Sequence, residues 1–516
     1  MYEKNDFYNA TDDFIDRNVR EGRGEHTALI YDGRRYTYRH HQKFVNKTGN
    51  ALKAMGIDIG DHILLLMHDS PEFVESFWGA IKIGAIPIPL NTILQPEDYE
   101  YLLNDSRGKV LVVHESLLPK IESITGNINF LRDMVVIKEG GGAKLPYNQM
   151  FKRASSVLEP APTTYDDVAF WLYSSGSTGF PKGTVHLQHD MAHSADSYAG
   201  NILNIKEDDI IFSASKLFFA YGLGNSMYFP YHVGACSILY PARPVASAIF
   251  EVIQRERPTI FFGVPTLYNN MLTYYRQHGN QYPTDIMSSV RCCVSAGEAL
   301  PPKIFQEWKD TFGLEILDGI GSTEMCHIFI SNRPGMVKPA STGMVVPGYE
   351  AKIVDEDWNE LPTGEIGNLV VKGDSSAIYY WRNHKKTQET MVGEWINTGD
   401  KYCQDDEGYY YYAGRSDDMF KVGGIWVSPF EVENALLEHI AVFECAVVCS
   451  PDSENLIKPK AFVVLNENIL ASDDLEEKLK IFVKSKIAPY KYPRWIEFIE
   501  KLPKTSTGKI QRYKLR

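Results

Sequence analysis

This sequence of 516 residues lacks several features that are typical of secreted proteins, membrane proteins and proteins that bind polyanions. Its seven cysteines are odd in number and scattered, with no Cys-x-x-Cys pair, which argues against a disulfide framework and a zinc site. The N-terminus has neither a basic segment nor an apolar one, and the apolar stretch from Gly79 to Leu90 is interrupted by Lys82, Pro87 and Pro89. A formal net charge of −13 disfavours nucleic acid or an anionic membrane as the main partner. We therefore expect a cytoplasmic protein with reduced thiols that binds neither nucleic acid nor membranes.

The composition is typical of a globular protein with more than one domain. Hydrophobic residues make up 44% of the chain and charged residues 23%. Between Ala28 and Asn91, strand-like runs alternate with a helical pattern, which predicts βαβ units and a parallel sheet. Within residues 415–516, strand-like runs surround one helix that Ser472 can cap. We predict an α/β fold with a large N-terminal domain of βαβ-type lobes, residues 1–414, and a small α+β C-terminal domain, residues 415–516, joined by a hinge.

The most informative stretch runs from Trp171 to Gly183 and has the sequence WLYSSGSTGFPKG. Its glycines let backbone N–H groups converge on an anion, its hydroxyls add neutral donors, and its lysine adds a mobile positive charge. The spacing differs from a Walker A motif because a proline precedes the lysine and a glycine follows it. We predict a phosphate-binding loop, with a flexible connector as the alternative. Its candidate ligands are Ser174, Ser175, Gly176, Ser177, Thr178, Gly179 and Lys182.

Later motifs contain groups that a nucleotide and its metal would need. In the segment DGIGSTEM, Thr323 can donate a hydrogen bond to an α-phosphate, and Glu324 can hold Mg²⁺, which prefers carboxylate and phosphate oxygens. Asp400 follows a tight turn, where its two oxygens can accept hydrogen bonds from both ribose hydroxyls. Arg415 can reach the ribose or a phosphate. The small-residue turn around Gly297 lets a flat base approach the backbone closely.

Two further patterns have a functional and a structural interpretation. Small residues on both sides of Tyr221, in an aromatic run, would open a flat space that suits a compact ring better than a long chain. A core strand that turns into a helix has the same composition. His186, His189 and His193, at positions i, i+3 and i+7, could face a metal, but a helix packed behind the phosphate loop explains that spacing equally well.

The order of these motifs resembles that of the ANL superfamily of adenylate-forming enzymes, which comprises acyl- and aryl-CoA synthetases, nonribosomal adenylation domains and firefly luciferase. The resemblance extends over essentially the whole chain, and the segments FFAYG, GSTEMCHI and GIWVSPFEVE are most similar to the benzoate-CoA ligase branch. It implies that the nucleotide is also bound by Gly297, Glu298 and Asp318, and that the acyl group is surrounded by Ala220, Tyr221, Gly321, His327 and Ile328. None of the acyl residues carries a fixed charge, so we expect an acid with an apolar or nearly apolar tail.

The same resemblance gives roles to the C-terminal residues. It implies that Asp417 is the pivot of a domain rotation, although its polar, turn-prone surroundings also occur in ordinary surface turns. Gly423 and Gly424 would let a thin pantetheine arm pass close to the backbone, with Trp426 as a wall. Lys509 matches the adenylating lysine of the superfamily, whereas composition alone favours a solvated basic tail.

The resemblance implies an acid–thiol ligase with ATP, Mg²⁺ and coenzyme A. A carboxylate oxygen attacks the α-phosphorus of ATP, which gives an acyl-adenylate and pyrophosphate, and the CoA thiolate then displaces AMP. We expect benzoate or a close ring acid as substrate, Lys509, Thr323 and Glu324 as catalytic residues, and a monomer or homodimer. The alternatives are an alicyclic or medium-chain acyl-CoA synthetase and a carrier-protein-loading adenylation enzyme. Nothing in the sequence favours a luciferase-like oxygenase or a binding protein without catalytic activity.

Overall fold

The computed structural model describes residues 7–138, 142–143, 151, 153–174, 181–416, 418–422, 425–452, 456–504 and 510–516. The strands in chain order are β1 (Thr27–Tyr31), β2 (Arg34–Thr37), β3 (His62–Leu66), β4 (Ile86–Pro89), β5 (Val110–His114), β6 (Asp133–Lys138), β7 (Gly142–Ala143), β8 (Val168–Ser174), β9 (Lys182–Leu187), β10 (Ile210–Ser213), β11 (Cys236–Leu239), β12 (Ile260–Gly263), β13 (Cys292–Ala296), β14 (Ile316–Gly321), β15 (Ile328–Ser331), β16 (Met344–Val345), β17 (Tyr349–Val354), β18 (Gly367–Gly373), β19 (Tyr379–Tyr380), β20 (Met391–Val392), β21 (Trp395–Gln404), β22 (Tyr410–Arg415), β23 (Phe420–Val422), β24 (Ile425–Val427), β25 (Val442–Pro451), β26 (Ile457–Leu465) and β27 (Trp495–Phe498).

Helices connect most of these strands. The α-helices are Arg17–Arg20, Tyr38–Ala54, Pro71–Lys82, Pro96–Ser106, Leu118–Glu122, Asp190–Ser194, Ala220–Leu223, Phe229–Val233, Ala246–Glu256, Pro265–His278, Pro302–Phe312, His384–Thr390, Pro429–Leu437 and Asp473–Lys486. Segments Asp12–Asp16, Ala195–Gly200 and Gly224–Tyr228 are π-helical, and short 3₁₀ turns include Thr323–Met325 and Arg512–Lys514. In the part of the chain that the structure describes, no helix is long and apolar enough to cross a membrane.

Two largely parallel sheets form the framework of the N-terminal domain. The nine-stranded sheet has the order β16-β15-β14-β13-β12-β10-β11-β1-β2 and is parallel from β14 to β1. The second has the order β4-β3-β5-β6-β7, with β7 antiparallel. The predicted βαβ unit is confirmed here, since the helix Pro71–Lys82 joins the parallel neighbours β3 and β4. Ser70 caps that helix by accepting a hydrogen bond from the amide of Phe73, 3.3 Å away.

Both framework sheets are covered on both faces, as parallel sheets usually are. In β3, Ile63 and Leu65 pack into the central core, whereas Leu64 and Leu66 face a separate cluster. The alternation follows from the two-residue period of a strand. The central core therefore lies between the two sheets, and the carboxyl ends of the parallel strands β12, β13 and β14 lie at one edge of the nine-stranded sheet.

Two antiparallel sheets complete the N-terminal domain. One has the order β19-β9-β8, and the other has the order β17-β18-β21-β20, with β22 pairing with β21. The C-terminal domain has its own core on the sheet β25-β26-β27. The predicted cap by Ser472 is confirmed, because its hydroxyl accepts a 3.2 Å hydrogen bond from the amide of Leu475. The exact boundary between residues 414 and 415 stays a prediction.

Candidate active site

The phosphate-loop candidates lie between two antiparallel strands. Ser174 at the end of β8 pairs with Lys182 at the start of β9, so the intervening chain leaves and returns at one point of the sheet. Ser175, Gly176, Ser177, Thr178 and Gly179 lie outside the described residues. The Lys182 ammonium is half-buried, 4.4 Å from the centroid of the Tyr380 ring. Burial lowers the pKa of Lys182, and the negative charge of Glu324 opposes that shift.

Glu324 lies on the 3₁₀ turn Thr323–Met325, which joins β14 to β15. Its carbonyl oxygen accepts a 2.7 Å hydrogen bond from the amide of Ala377, which fixes the turn against a neighbouring loop. Its carboxylate oxygen Oε1 accepts a 2.7 Å hydrogen bond from the hydroxyl of Tyr380. One such bond leaves most of the carboxylate lone pairs available, so the partly exposed Glu324 fits a hard cation such as Mg²⁺.

The ribose candidates face each other across two strands. Asp400 on β21 is the register partner of Arg415 on β22, and Arg415 Nη1 lies 3.1 Å from Asp400 Oδ1. The same guanidinium nitrogen donates to the carbonyl of Thr398, also at 3.1 Å. Gly399, which lies between Thr398 and Asp400 in the chain, has φ +72°, and a Cβ there would lie 3.0 Å from Arg415 Nη2. Because the guanidinium is 44% exposed, this ion pair adds little stability and suits ligand binding.

The adenine candidates follow β13 or lie on β14. Gly297 comes directly after β13 and has φ +94°, a conformation that favours glycine and leaves the backbone exposed, with Glu298 next to it. Asp318 on β14 is the register partner of Ser295 on β13 and is only 6% exposed. Burial raises the pKa of the Asp318 carboxyl well above its usual range. Among the described residues, its Oδ1 has no hydrogen-bond partner, so it can bind a donor from a ligand.

An enclosure of aromatic rings surrounds His327. The ring of Phe229 packs edge-on at 4.4 Å between centroids, and the rings of Tyr221 and Tyr198 lie at 5.5 and 5.7 Å. His327 Nε2 lies 3.0 Å from Asn225 Oδ1 and 3.2 Å from the carbonyl of Tyr221, so this nitrogen carries the hydrogen. Burial lowers the pKa of His327 to about 3, and the ring is therefore neutral. We call these five residues the acyl enclosure.

The other predicted acyl residues adjoin this enclosure. Gly321 on β14 pairs with Ile328 on β15, and a Cβ at Gly321 would lie 2.5 Å from the carbonyl oxygen of His327. Glycine is therefore required here by the close approach of two backbones. Ala220 begins the helix that carries Tyr221, and both residues are half-buried. The structure thus brings together all five predicted acyl residues.

Several C-terminal predictions cannot be compared with the structure. Asp417, Gly423, Gly424, Lys509 and the side chain of Trp426 lie outside the described residues. Their neighbours form an ionic network in which Arg512 donates to both carboxylate oxygens of Glu433, each at 2.8 Å. Asp418 accepts a hydrogen bond from Arg516 and lies 3.9 Å from Arg512. The network joins the last residues of the chain to the segment that follows β22.

Some residues at the site were not found from the sequence. Tyr380 contacts both Lys182 and Glu324, but it lies in an aromatic run, Tyr379–Trp381, that indicates only a packed strand. Phe229, Tyr198 and Asn225 each come from a different segment than His327 and carry no local signal. Only the folded structure brings these segments next to His327.

The helical interpretation of the three histidines is wrong. His186 lies on β9, and the helix begins only at Asp190, so His186 does not share a helical face with His193. His189 lies 2.8 Å from the carbonyl of Tyr165 through Nδ1. Over the described ranges, no group of three or more His, Cys, Asp or Glu side chains could hold a metal ion.

Known proteins are similar to this chain over nearly its whole length. The AMP-binding enzyme family matches residues 15–381, and the AMP-binding enzyme C-terminal domain matches residues 431–509. The benzoate–CoA ligase of Thauera aromatica is 51% identical over 511 residues, which cover 99% of this chain and 96% of the relative. An anthranilate CoA ligase solved in complex with anthranoyl-AMP is 46% identical, with a TM-score of 0.93 and coverage of 99% and 97% of the two chains.

A benzoate CoA ligase from Burkholderia xenovorans LB400 has a similar structure. It is 44% identical, with a TM-score of 0.90, and the match covers 99% of this chain and all of that one. These matches confirm the resemblance to the ANL superfamily, including its large and small domains. The chain belongs to the family of AMP-binding enzymes.

Proposed function

We propose that this chain is an AMP-forming aryl-CoA ligase that uses ATP to join benzoate, or a closely related ring acid, to coenzyme A. The observation that carries the proposal is the acyl enclosure around His327, whose side chains are neutral and largely aromatic. A ring acid has a flat apolar body and a single carboxylate, so it suits an enclosure of rings next to a phosphate-binding turn.

The relatives support the same substrate class. The Thauera aromatica relative is named a benzoate–CoA ligase and aligns with almost the entire chain. The ligand in the anthranilate CoA ligase structure, anthranoyl-AMP, is the adenylate of an aminated ring acid. Both support a reaction that passes through an acyl-adenylate with an aromatic acyl group.

The first half-reaction brings two anions together, so it depends mainly on charge neutralisation and positioning. Lys509 is assigned to the α-phosphate and the acyl carboxylate. Thr323 donates to the α-phosphate, and the loop from Ser174 to Lys182 holds the departing pyrophosphate. The desolvated ammonium of Lys182 supports this assignment, because a cation that has already lost part of its hydration binds phosphate strongly.

Glu324 would hold the Mg²⁺ that accompanies ATP. When bound, this ion supplies positive charge to the phosphate oxygens. Tyr380 keeps the Glu324 carboxylate in one orientation through its 2.7 Å hydrogen bond. Asp400 and Arg415 hold the ribose, while Gly297, Glu298 and Asp318 lie along the adenine.

The second half-reaction needs a different surface beside the adenylate. A rotation of the C-terminal domain about Asp417 would remove Lys509 and bring Gly423 and Gly424 to the thiol path, with Trp426 as a wall. The interface between the domains includes polar contacts, such as the 2.6 Å hydrogen bond from the Lys303 ammonium to the carbonyl of Leu437. Polar contacts of this kind can exchange for water, which suits a movable domain.

The test is AMP release by the purified protein with ATP and Mg²⁺, measured with a panel of acids in the presence and absence of CoA. The panel includes benzoate, hydroxybenzoates, aminobenzoates, cyclohexane carboxylate, hexanoate and acetate. Strong CoA-dependent turnover with ring acids is the expected result. Preference for cyclohexane carboxylate or hexanoate would favour the alternative acyl-CoA synthetase, and turnover independent of CoA would favour a carrier-protein-loading enzyme.

A further inference from the structure

A buried histidine–carboxylate pair lies behind the candidate active site and has no role in the proposed chemistry. His186 and Asp190 are both fully buried, and His186 Nδ1 lies 2.7 Å from Asp190 Oδ2. The same Oδ2 accepts a 3.1 Å hydrogen bond from the amide of Leu187. The ring stacks on Phe170, with 5.1 Å between centroids. The imidazole is therefore held in one orientation by a carboxylate and an aromatic face.

The other ring nitrogen of His186 contacts the Thr323–Met325 turn. His186 Nε2 lies 2.7 Å from the carbonyl oxygen of Thr323, a residue 137 positions away. A carbonyl oxygen can only accept, so Nε2 carries a hydrogen and donates it. This bond fixes the peptide plane between Thr323 and Glu324 and thereby restrains the positions of both side chains.

His186 also belongs to the strand that carries the phosphate-loop lysine. Side chains two residues apart on a strand point to the same face, so Lys182, Thr184 and His186 share one face of β9. The Lys182 ammonium lies 4.4 Å from the centroid of the Tyr380 ring, and the Tyr380 hydroxyl donates a hydrogen bond to Glu324. Strand β9 thus contacts the turn directly through His186, and Lys182 is linked to it indirectly through Tyr380.

We infer that His186, oriented by Asp190, is a positioning residue for acyl-adenylate formation, because it joins the phosphate-loop strand to the turn that carries Thr323 and Glu324. The inference rests on the proposed function, which assigns the α-phosphate to Thr323. A histidine that only filled the core would need its ring volume but not a donor at Nε2. The distinction is testable because glutamine and asparagine each keep one half of the imidazole's hydrogen bonding.

In His186→Gln, the side-chain amide can place an N–H donor near the position of Nε2 and retain the bond to Thr323. In His186→Asn, the shorter amide can reach Asp190 but not Thr323. Both variants lose the ring and have similar polarity, so they serve as matched controls for each other. Each is compared with the wild type by ATP–pyrophosphate exchange, by conversion of supplied benzoyl-adenylate with CoA, and by thermal unfolding.

We expect His186→Asn to lower the kcat of ATP–pyrophosphate exchange by about 100-fold, as small misplacements of reacting groups do. His186→Gln should stay within about tenfold of the wild type, since one hydrogen bond to Thr323 is kept. The KM for benzoate should not change in either variant, because His186 does not belong to the acyl enclosure. Equal exchange rates in the two variants would overturn the inference, as would losses that follow the melting temperature alone.

The wild type separates a failure of this inference from a failure of the proposed function. If the wild type exchanges pyrophosphate with another acid but not with benzoate, the proposed substrate is wrong and the two variants are compared with the accepted acid. If it exchanges with no acid, the adenylation on which both ideas depend is refuted.

Discussion

A methyl group at Gly321 should damage adenylation more than its size suggests. Gly321 lies on β14 with a backbone conformation open to any residue, so alanine introduces no strain in φ. Its Cβ would nevertheless lie 2.5 Å from the carbonyl oxygen of His327, 2.7 Å from the carbonyl carbon and 2.8 Å from the amide nitrogen of Ile328. All three are backbone atoms, which cannot turn away as a flexible side chain can.

The size of the effect follows from these distances. Real Cβ atoms do not approach other heavy atoms closer than 3.0 Å, so β14 and β15 must separate by about 0.5 Å at this point. Overpacking of this kind usually costs about 1–3 kcal/mol of unfolding free energy. The strain falls on the hairpin that carries Thr323 and Glu324, where a shift of about 1 Å can reduce a rate by about 100-fold. We expect a drop in kcat of about tenfold or more and a melting temperature a few degrees lower.

The assay is ATP–pyrophosphate exchange with benzoate, measured beside thermal unfolding. Gly126→Ala is the control, because no atom lies within 4 Å of the Cβ that it would introduce and its φ is also outside the left-handed region. The control should keep the wild-type rate and melting temperature. Wild-type kcat and stability in Gly321→Ala would refute the argument that the two backbones are in close contact.

Three further substitutions test other parts of the site and fold. Tyr380→Phe keeps the ring beside Lys182 but removes the hydrogen bond to Glu324, so exchange at limiting Mg²⁺ should fall about tenfold; an unchanged Mg²⁺ titration would contradict the role of Tyr380. Lys509→Ala should lose adenylation severely yet still convert supplied benzoyl-adenylate with CoA, and equal loss of both half-reactions would refute the assignment. Burial lowers the pKa of His41 to about 3. As the pH falls below about 6.5, His41 therefore binds a proton in the unfolded chain before it does so in the folded one, and the free energy of unfolding decreases until about pH 3. His41→Leu should therefore reduce the slope of unfolding free energy against pH in this range by about 1.4 kcal/mol per unit, and an unchanged slope in urea melts would contradict the buried state of His41.

The strands and helices that could be predicted are those with a local signal. The helix Pro71–Lys82 has a capping serine, a proline at its first position and an aromatic face, and each of these features is visible in the sequence. His186 was misassigned because its polarity and its spacing from His189 and His193 suggest a helix. Its actual environment is a buried strand, where a long-range bond to Thr323 satisfies its polarity. The local sequence pattern does not indicate that bond, because the two residues are 137 positions apart.

The chemical types at the site were easier to predict than their arrangement. Asp400 is predicted as a ribose ligand because it follows a tight turn, and Glu324 as a metal ligand because it is a carboxylate next to Thr323 in a glycine-rich segment; both assignments stay predictions. The pairing of Asp400 with Arg415 depends on the register between β21 and β22, which no local spacing specifies. Tyr380 remained hidden for the same reason, since it contacts Glu324 only after β19 pairs with β9.

If the proposed roles hold, the arrangement of β14, the Thr323–Met325 turn and β15 should couple substrate choice to catalysis. His327 lies two residues after Met325, and its peptide packs directly against Gly321, so the wall of the acyl enclosure and the Thr323–Met325 turn belong to one hairpin. The Met325 carbonyl is fixed by a 2.9 Å hydrogen bond from the hydroxyl of Ser375, which leaves the hairpin little freedom to adjust. A larger acid that displaces His327 must therefore also displace Thr323 and Glu324. Discrimination between ring acids should consequently appear in kcat as well as in KM, because a badly fitting ring would misalign the groups proposed to act at the α-phosphate.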